Sequence, residues 1–316
     1  MSVKIGDSAI QRGEKVRGYL KVAEASTHSV TLPYIVVNGA HEGPKLCVLG
    51  GVHPLEYAGI EGVLKVANEV EPKDVKGTLM LLPLVNTDGF HARAAFNNPI
   101  DYVNQNRVYP GDPKGTLSRR VAHIVFNEFV SKSGYLIDSH GGDLTEDINR
   151  YVIIANTNDE KLKKTMIEMA SCYDSHFIQT TNIVGSSKEA MTKYGIPCIT
   201  PETGTPFPVK VDDVNWHRNG IINVMKLLGM INGKPELKRQ PLDPEIHKVV
   251  AEHGGLWIQM IDAGARVKKG DLLGEVVSLI GETLERLKAP CGGVICASRT
   301  SVTVNQGDVL VQIAEV

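Results

Sequence analysis

Leu46-Cys47-Val48-Leu49-Gly50-Gly51-Val52-His53-Pro54-Leu55-Glu56 is the stretch whose reading decides the fold. An apolar run of strand length ends on two glycines, and a histidine and a carboxylate stand where the strand gives way to a helix. An imidazole and a carboxylate three positions apart can grip one metal ion from the same side. Zinc accepts that pairing of nitrogen and oxygen, and a catalytic zinc needs a further protein ligand and an open water position. Tyr135-Leu136-Ile137-Asp138-Ser139-His140 is a second apolar run that ends on a histidine. Another, Ile196-Pro197-Cys198-Ile199-Thr200, delivers Pro201-Glu202-Thr203-Gly204. Three strand ends presenting His53 with Glu56, His140 and Glu202 point to a hydrolase in which zinc and a carboxylate activate water.

Outward from these runs, strands are expected over 45–49, 78–85, 135–138, 151–155 and 198–200. Helices are expected over 55–70, 117–130, 159–173, 187–194 and 212–230. The alternation specifies an α/β fold, a mostly parallel mixed sheet flanked by helices, with its site beyond the carboxyl ends of the strands. Residues 1–44 read as short strands and turns, the segment 38–44 being especially turn-like. A polar, proline-marked crossover over 231–244 separates a catalytic domain, 1–235, from a small β domain, 245–316. Within the latter, Val267-Lys268-Lys269-Gly270-Asp271 is answered by Val304-Asn305-Gln306-Gly307-Asp308, which argues for two related halves.

Composition narrows the function class. Lys and Arg total 34 against 36 Asp and Glu, so no basic footprint for nucleic acid exists. No apolar run approaches a membrane span, and residues 1–7 lack the apolar core of a signal peptide. The five cysteines, Cys47, Cys172, Cys198, Cys291 and Cys296, are scattered without a CxxC pair and read as buried free thiols of a cytoplasmic protein. A homo-oligomer is left open.

Several motifs in order carry a resemblance. Gly50-Gly51-Val52-His53-Pro54-Leu55-Glu56-Tyr57-Ala58-Gly59 resembles the metal box of the succinylglutamate desuccinylase/aspartoacylase family, a branch of the zinc carboxypeptidase superfamily. Asn86-Thr87-Asp88-Gly89-Phe90 is similar to that family's N-P-x-G-F turn. Asp101 to Gly111, with Asn106-Arg107 at its centre, is similar to D-x-x-x-L-N-R-x-F-P-G. Asp138-Ser139-His140 and Glu202-Thr203-Gly204 match D-L-H and E-x-G. The resemblance implies one Zn2+ per chain held by His53, Glu56 and His140, Glu202 as general base and acid, and Asn106 and Arg107 holding a substrate carboxylate. The implied substrate is an N-acyl amino acid or a related small N-acylated amine, whose amide bond is hydrolysed. A peptide-cleaving carboxypeptidase and a non-catalytic binding module are the rival readings.

The chain departs from the family pattern at Pro54, where Gly is usual, at Gln105, where Leu is usual, and at Ala95, where a carbonyl-polarising arginine is usual. Pro suits the first turn of a helix, and Arg93 is the nearest substitute for the missing arginine. Asp138 is expected to orient His140, while His41, His91, His123, His176 and His217 read as structural or exposed. Leu287-Lys288-Ala289-Pro290-Cys291-Gly292-Gly293-Val294 resembles a strand of biotinyl/lipoyl carrier domains, which implies a barrel-sandwich-like C-terminal domain. Glu282 occupies the place of the modified lysine, so an unmodified domain that limits access to the site is expected.

Overall fold

A computed structural model describes residues 2–316. The strands are β1 (Val3–Ile5), β2 (Ser8–Ile10), β3 (Glu14–Glu24), β4 (Ser29–Asn38), β5 (His41–Leu49), β6 (Lys76–Leu82), β7 (Tyr135–Asp138), β8 (Glu146–Ala155), β9 (Ile178–Thr181) and β10 (Cys198–Gly204). Interleaved with them are the helices α1 (Tyr57–Glu69), α2 (Thr87–Ala92), α3 (Leu117–Ile124), α4 (Glu160–Ala170), α5 (Ser187–Lys193) and α6 (Val211–Leu227). The C-terminal part is all strand: β11 (Ile246–Val250), β12 (Gly255–Gln259), β13 (Arg266–Val267), β14 (Leu272–Val277), β15 (Thr283–Lys288), β16 (Gly293–Arg299), β17 (Thr303–Val304) and β18 (Val309–Ala314).

The central strands are unbroken apolar runs because both faces of the sheet are covered. Leu46 and Val48 of β5 point to one side, against Val63 and Val66 of α1, Met166 of α4 and Ile221 of α6. Cys47 and Leu49 point to the other, against Val121 of α3, Val125 and Phe129. All four are fully buried, and the aliphatic Leu46, Val48 and Leu49 contribute roughly 1.5–3 kcal/mol each.

The main sheet runs β11-β18-β16-β8-β10-β7-β5-β6-β4-β3. It is mixed rather than mostly parallel. Parallel pairing holds the centre, β10-β7-β5-β6, and joins β9 to β8, while the strands outward from the centre pair antiparallel. The expectation for residues 1–44 is also corrected. β3 and β4 form a long hairpin, with 11 and 10 residues, that extends the sheet through β4 on β6. The segment 38–44 is mostly strand, since β5 begins at His41. Gly39 is there for closeness: a Cβ on it would lie 2.2 Å from the Val75 carbonyl oxygen. Two backbones touching produce the same glycine signal as a turn.

Of the C-terminal strands, β11, β13, β16 and β18 join the same sheet, while β15-β14-β12-β17 form a separate four-stranded sheet. Ala297, Ser298 and Arg299 of β16 pair with Ile148, Asp147 and Glu146 of β8, and the Thr300 N–H donates to the Thr145 carbonyl at 2.9 Å. The repeated sequence unit is a repeated turn. Lys268 N–H donates to Asp271 Oδ2 and Asn305 N–H to Asp308 Oδ2, each at 2.8 Å, with Gly270 at φ 93° and Gly307 at φ 90°. All five cysteines are buried and unpaired. No helix among the described residues is long and apolar enough to cross a membrane.

Candidate active site

β5 runs out at Leu49, where Gly50 N–H donates to the Leu82 carbonyl of β6 at 2.8 Å. The chain then folds tightly over 53–57, with Glu56 N–H reaching the His53 carbonyl at 3.4 Å. Glu56 thus stands at the N-cap of α1, which begins at Tyr57, two residues later than expected from sequence, yet its carboxylate caps nothing. Both of its oxygens face histidines instead: Oε1 lies 2.7 Å from His53 Nδ1 and Oε2 2.7 Å from His140 Nδ1. His53, Glu56 and His140 offer donor atoms that all lie within 4.8 Å of one another.

The outer nitrogens of both rings are held. His140 Nε2 lies 3.0 Å from Asp138 Oδ2, and His53 Nε2 lies 3.1 Å from Asn104 Oδ1. An imidazole that donates from Nε2 turns the lone pair of Nδ1 inward, the tautomer a metal requires. Glu56 Oε2 is buried and, despite its closeness to His140, makes no aligned hydrogen bond. Two nitrogens and a carboxylate, inward-facing with one oxygen unsatisfied, fit a divalent metal. Asp138 is itself anchored by Ser187 Oγ, and the Phe96 ring stands edge-on to His53 with centroids 5.4 Å apart.

Electrostatics follow from burial and these neighbours. Burial pushes the Glu56 carboxyl up, but His140 and His53 outweigh it and hold the pKa at about 2. For His140, burial opposes the charge, while Asp138 and Glu56 together raise it well above the ordinary histidine value. Glu202, 9% exposed, is raised to about 8 by burial; His140 pulls it down and Glu56 pushes it further up. His217 is fully buried, which lowers it to about 3 against the pull of Glu56 and nearby carbonyls.

Glu202 reaches the centre because β10 lies beside β7. His140 N–H donates to the Pro201 carbonyl at 2.9 Å, and Thr203 N–H to the His140 carbonyl at 3.3 Å. Gly141 permits that approach: a Cβ there would sit 2.2 Å from the Thr203 oxygen. Gly141→Ala is therefore expected to destabilise by roughly 1–3 kcal/mol and to lower turnover by up to about 10²-fold through misplacement of His140 against Glu202. Thermal melting and steady-state assay check both effects.

The other sequence-derived residues divide. Asn106 is buried beside the centre, with Oδ1 accepting from Ser187 N–H at 2.9 Å and Nδ2 lying 3.4 Å from His140 Nε2. Arg107 is exposed and donates to the carbonyl of Asn106 at 2.7 Å. Arg93 is exposed at the left-handed C-cap of α2, φ 52°, on the loop that carries Phe96. Gln105 is fully buried and donates to the Ser118 carbonyl at 2.9 Å, which accounts for an amide where leucine is usual. Two residues escaped the sequence reading. Asn104 looks like any loop asparagine, although it holds His53. Lys188 sits in a helix start where a lysine is ordinarily solvated, yet it is only 3% exposed and its charge reaches Glu202 and Asp138.

A mixed α/β sheet with a His-Glu-His centre and a buried glutamate at its strand ends defines the class, and comparison with known proteins agrees. Residues 42–228 match the model of the succinylglutamate desuccinylase/aspartoacylase catalytic domain, and the chain belongs to that family. The N-alpha-acetyl-L-2,4-diaminobutyric acid deacetylase of Halomonas elongata is 26% identical, over 95% of this chain and 91% of its own. The product-bound ectoine utilization protein EutE (DoeB) of Ruegeria pomeroyi shares the fold with a TM-score of 0.88, 24% identity and 97% of each chain covered. So does a succinylglutamate desuccinylase from Silicibacter sp. TM1040, with a TM-score of 0.86, 24% identity and the same coverage.

Proposed function

We propose that this protein is a zinc-dependent deacylase that hydrolyses the amide bond of a small N-acylated amino acid. The observation that carries the proposal is the inward-facing set of His53 Nδ1, His140 Nδ1 and the Glu56 carboxylate beside Glu202. Zinc bound by those three residues would supply a Lewis acid that brings the pKa of water towards neutrality. Glu202 takes the proton from the attacking water and returns it to the departing amine. The burial that raises Glu202 makes its ionised form a strong proton acceptor, and the charge of Lys188 favours that ionised form. The Halomonas relative, named as a deacetylase of an N-acetylated diamino acid, supports a small acyl group on an amino acid.

The chain is divided here into a catalytic part, 1–235, and a β part, 245–316, that limits access. Pairing of β16 with β8 supports this role, since β8 opens at Glu146, six residues past His140. Glu282 lies exposed at the tip between β14 and β15, where a carrier domain would present its lysine, so the β part is read as unmodified. A cytoplasmic location is part of the same proposal.

The test is release of free amine from acetyl-, formyl-, succinyl- and longer-chain amino acids by zinc-loaded protein, beside a C-terminal peptide series. Turnover of a short-chain acyl amino acid, with none of peptides, is the expected result; peptide cleavage alone would make it a carboxypeptidase. Arg107→Lys and Lys188→Met are the informative variants. If Arg107 grips the substrate carboxylate, its loss raises KM for free acids by roughly tenfold or more and spares amidated analogues, because an ammonium lacks the guanidinium fork. If Lys188 assists the reacting centre, its loss lowers kcat on both.

A further inference from the structure

A second group of metal-ligating side chains lies at the far edge of the main sheet, where β11 and β16 begin and β18 ends. His247 is on β11, Cys291 stands in the turn before β16, and Glu315 follows β18 directly. Their ligand atoms lie within 4.8 Å of one another. His247 Nε2 is 3.2 Å from Glu315 Oε1 and 3.5 Å from Glu245 Oε1. Glu245 is fixed beside Glu315, whose N–H donates to its carbonyl at 3.0 Å. The Nε2 atom is covered from solvent and makes no aligned hydrogen bond with either carboxylate, and Cys291 is 8% exposed.

We infer that His247, Cys291 and Glu315, with Glu245 alongside, form a second metal site for a borderline-soft divalent cation such as zinc. Tetrahedral bonds of about 2.0 Å to nitrogen or oxygen and about 2.3 Å to sulfur place ligand atoms roughly 3.2–3.8 Å apart. The nitrogen–oxygen separations here already fall in that range. Imidazole, thiolate and carboxylate together suit zinc rather than magnesium or calcium, which prefer oxygen alone. Two carboxylates converge on one imidazole nitrogen, and a cation bound between them replaces repulsion with attraction. The thiol gives up its proton to solvent as the sulfur–metal bond forms, so one proton is released per ion bound. The site ties the two ends of the C-terminal segment to its middle, and its action is that of a clip: it stabilises this part of the sheet by mass action.

The inference does not depend on the chemistry of the active site, and cobalt(II) separates the two. The His53-Glu56-His140 centre contains no sulfur, whereas Cys291 would give a thiolate-to-cobalt charge-transfer band in the near ultraviolet. Metal-stripped full-length protein titrated with cobalt(II) is expected to take up two ions per chain and develop that band. Cys291→Ser should abolish the band, remove one ion and leave deacylase turnover within twofold of wild type. His247→Gln, a milder change in the same site, should weaken cobalt uptake there at least tenfold. The His53→Ala/His140→Ala variant should retain the band. Uptake of a single ion without a band by the wild type, or a band that survives Cys291→Ser, would overturn the inference.

Discussion

Glu202→Gln should leave fold and metal content intact while turnover falls roughly 10²–10⁴-fold, the range of a positioned proton carrier. The substitution preserves shape, and the Glu202 carboxylate makes no hydrogen bond among the described residues, so no structural partner is lost. The stability effect has a defined sign. In the metal-free protein, burial raises this carboxyl from 4.5 to about 8. Below pH 4.5 both folded and unfolded states hold the proton and the group costs nothing. As pH rises through that value the unfolded state ionises first, and stability is lost until about pH 8. Glutamine removes this loss. The metal-free variant should therefore melt above wild type at pH 8 and together with it near pH 4. Near-wild-type turnover in Glu202→Gln would place the base elsewhere.

His53→Ala/His140→Ala should abolish turnover and lower bound metal by one ion per chain. Glu56 shows why the effect extends to stability. It is 4% exposed and both its oxygens face those two imidazoles. Removing both leaves a buried carboxylate without a partner, a loss of roughly 3–5 kcal/mol for a broken buried pair. Adding Glu56→Gln to the double variant should restore much of that stability without restoring turnover. Elemental analysis and calorimetry on the three proteins decide the matter; unchanged metal content in the double variant would remove these residues from the centre.

The candidate site was legible because its residues follow apolar runs. Leu46 to Leu49, Leu136 to Ile137 and Cys198 to Ile199 are strands buried on both faces, so the polar residue that follows each one must emerge at the edge of the sheet. Parallel pairing of β5, β7 and β10 then places those edges side by side. The link from β4 into β5 was less legible. Glycines at 39 and 43 look like turn residues, whereas they mark two backbones in contact.

What the sequence determined by itself was therefore the sheet centre and the chemistry at its strand ends, since periodicity and residue type act locally. Tertiary structure alone decided the support around that chemistry. Asn104 reaches His53 across 51 positions of chain, and Ser187 reaches Asp138 across 49. Lys188 is polar by type and buried only because α5 packs behind the centre. The second cluster unites His247, Cys291 and Glu315 solely through the pairing of β11 with β18 and of β18 with β16. Hydrogen bonds and metal donors act over a few ångströms of space, and strand pairing, which no local pattern records, sets which distant residues share them.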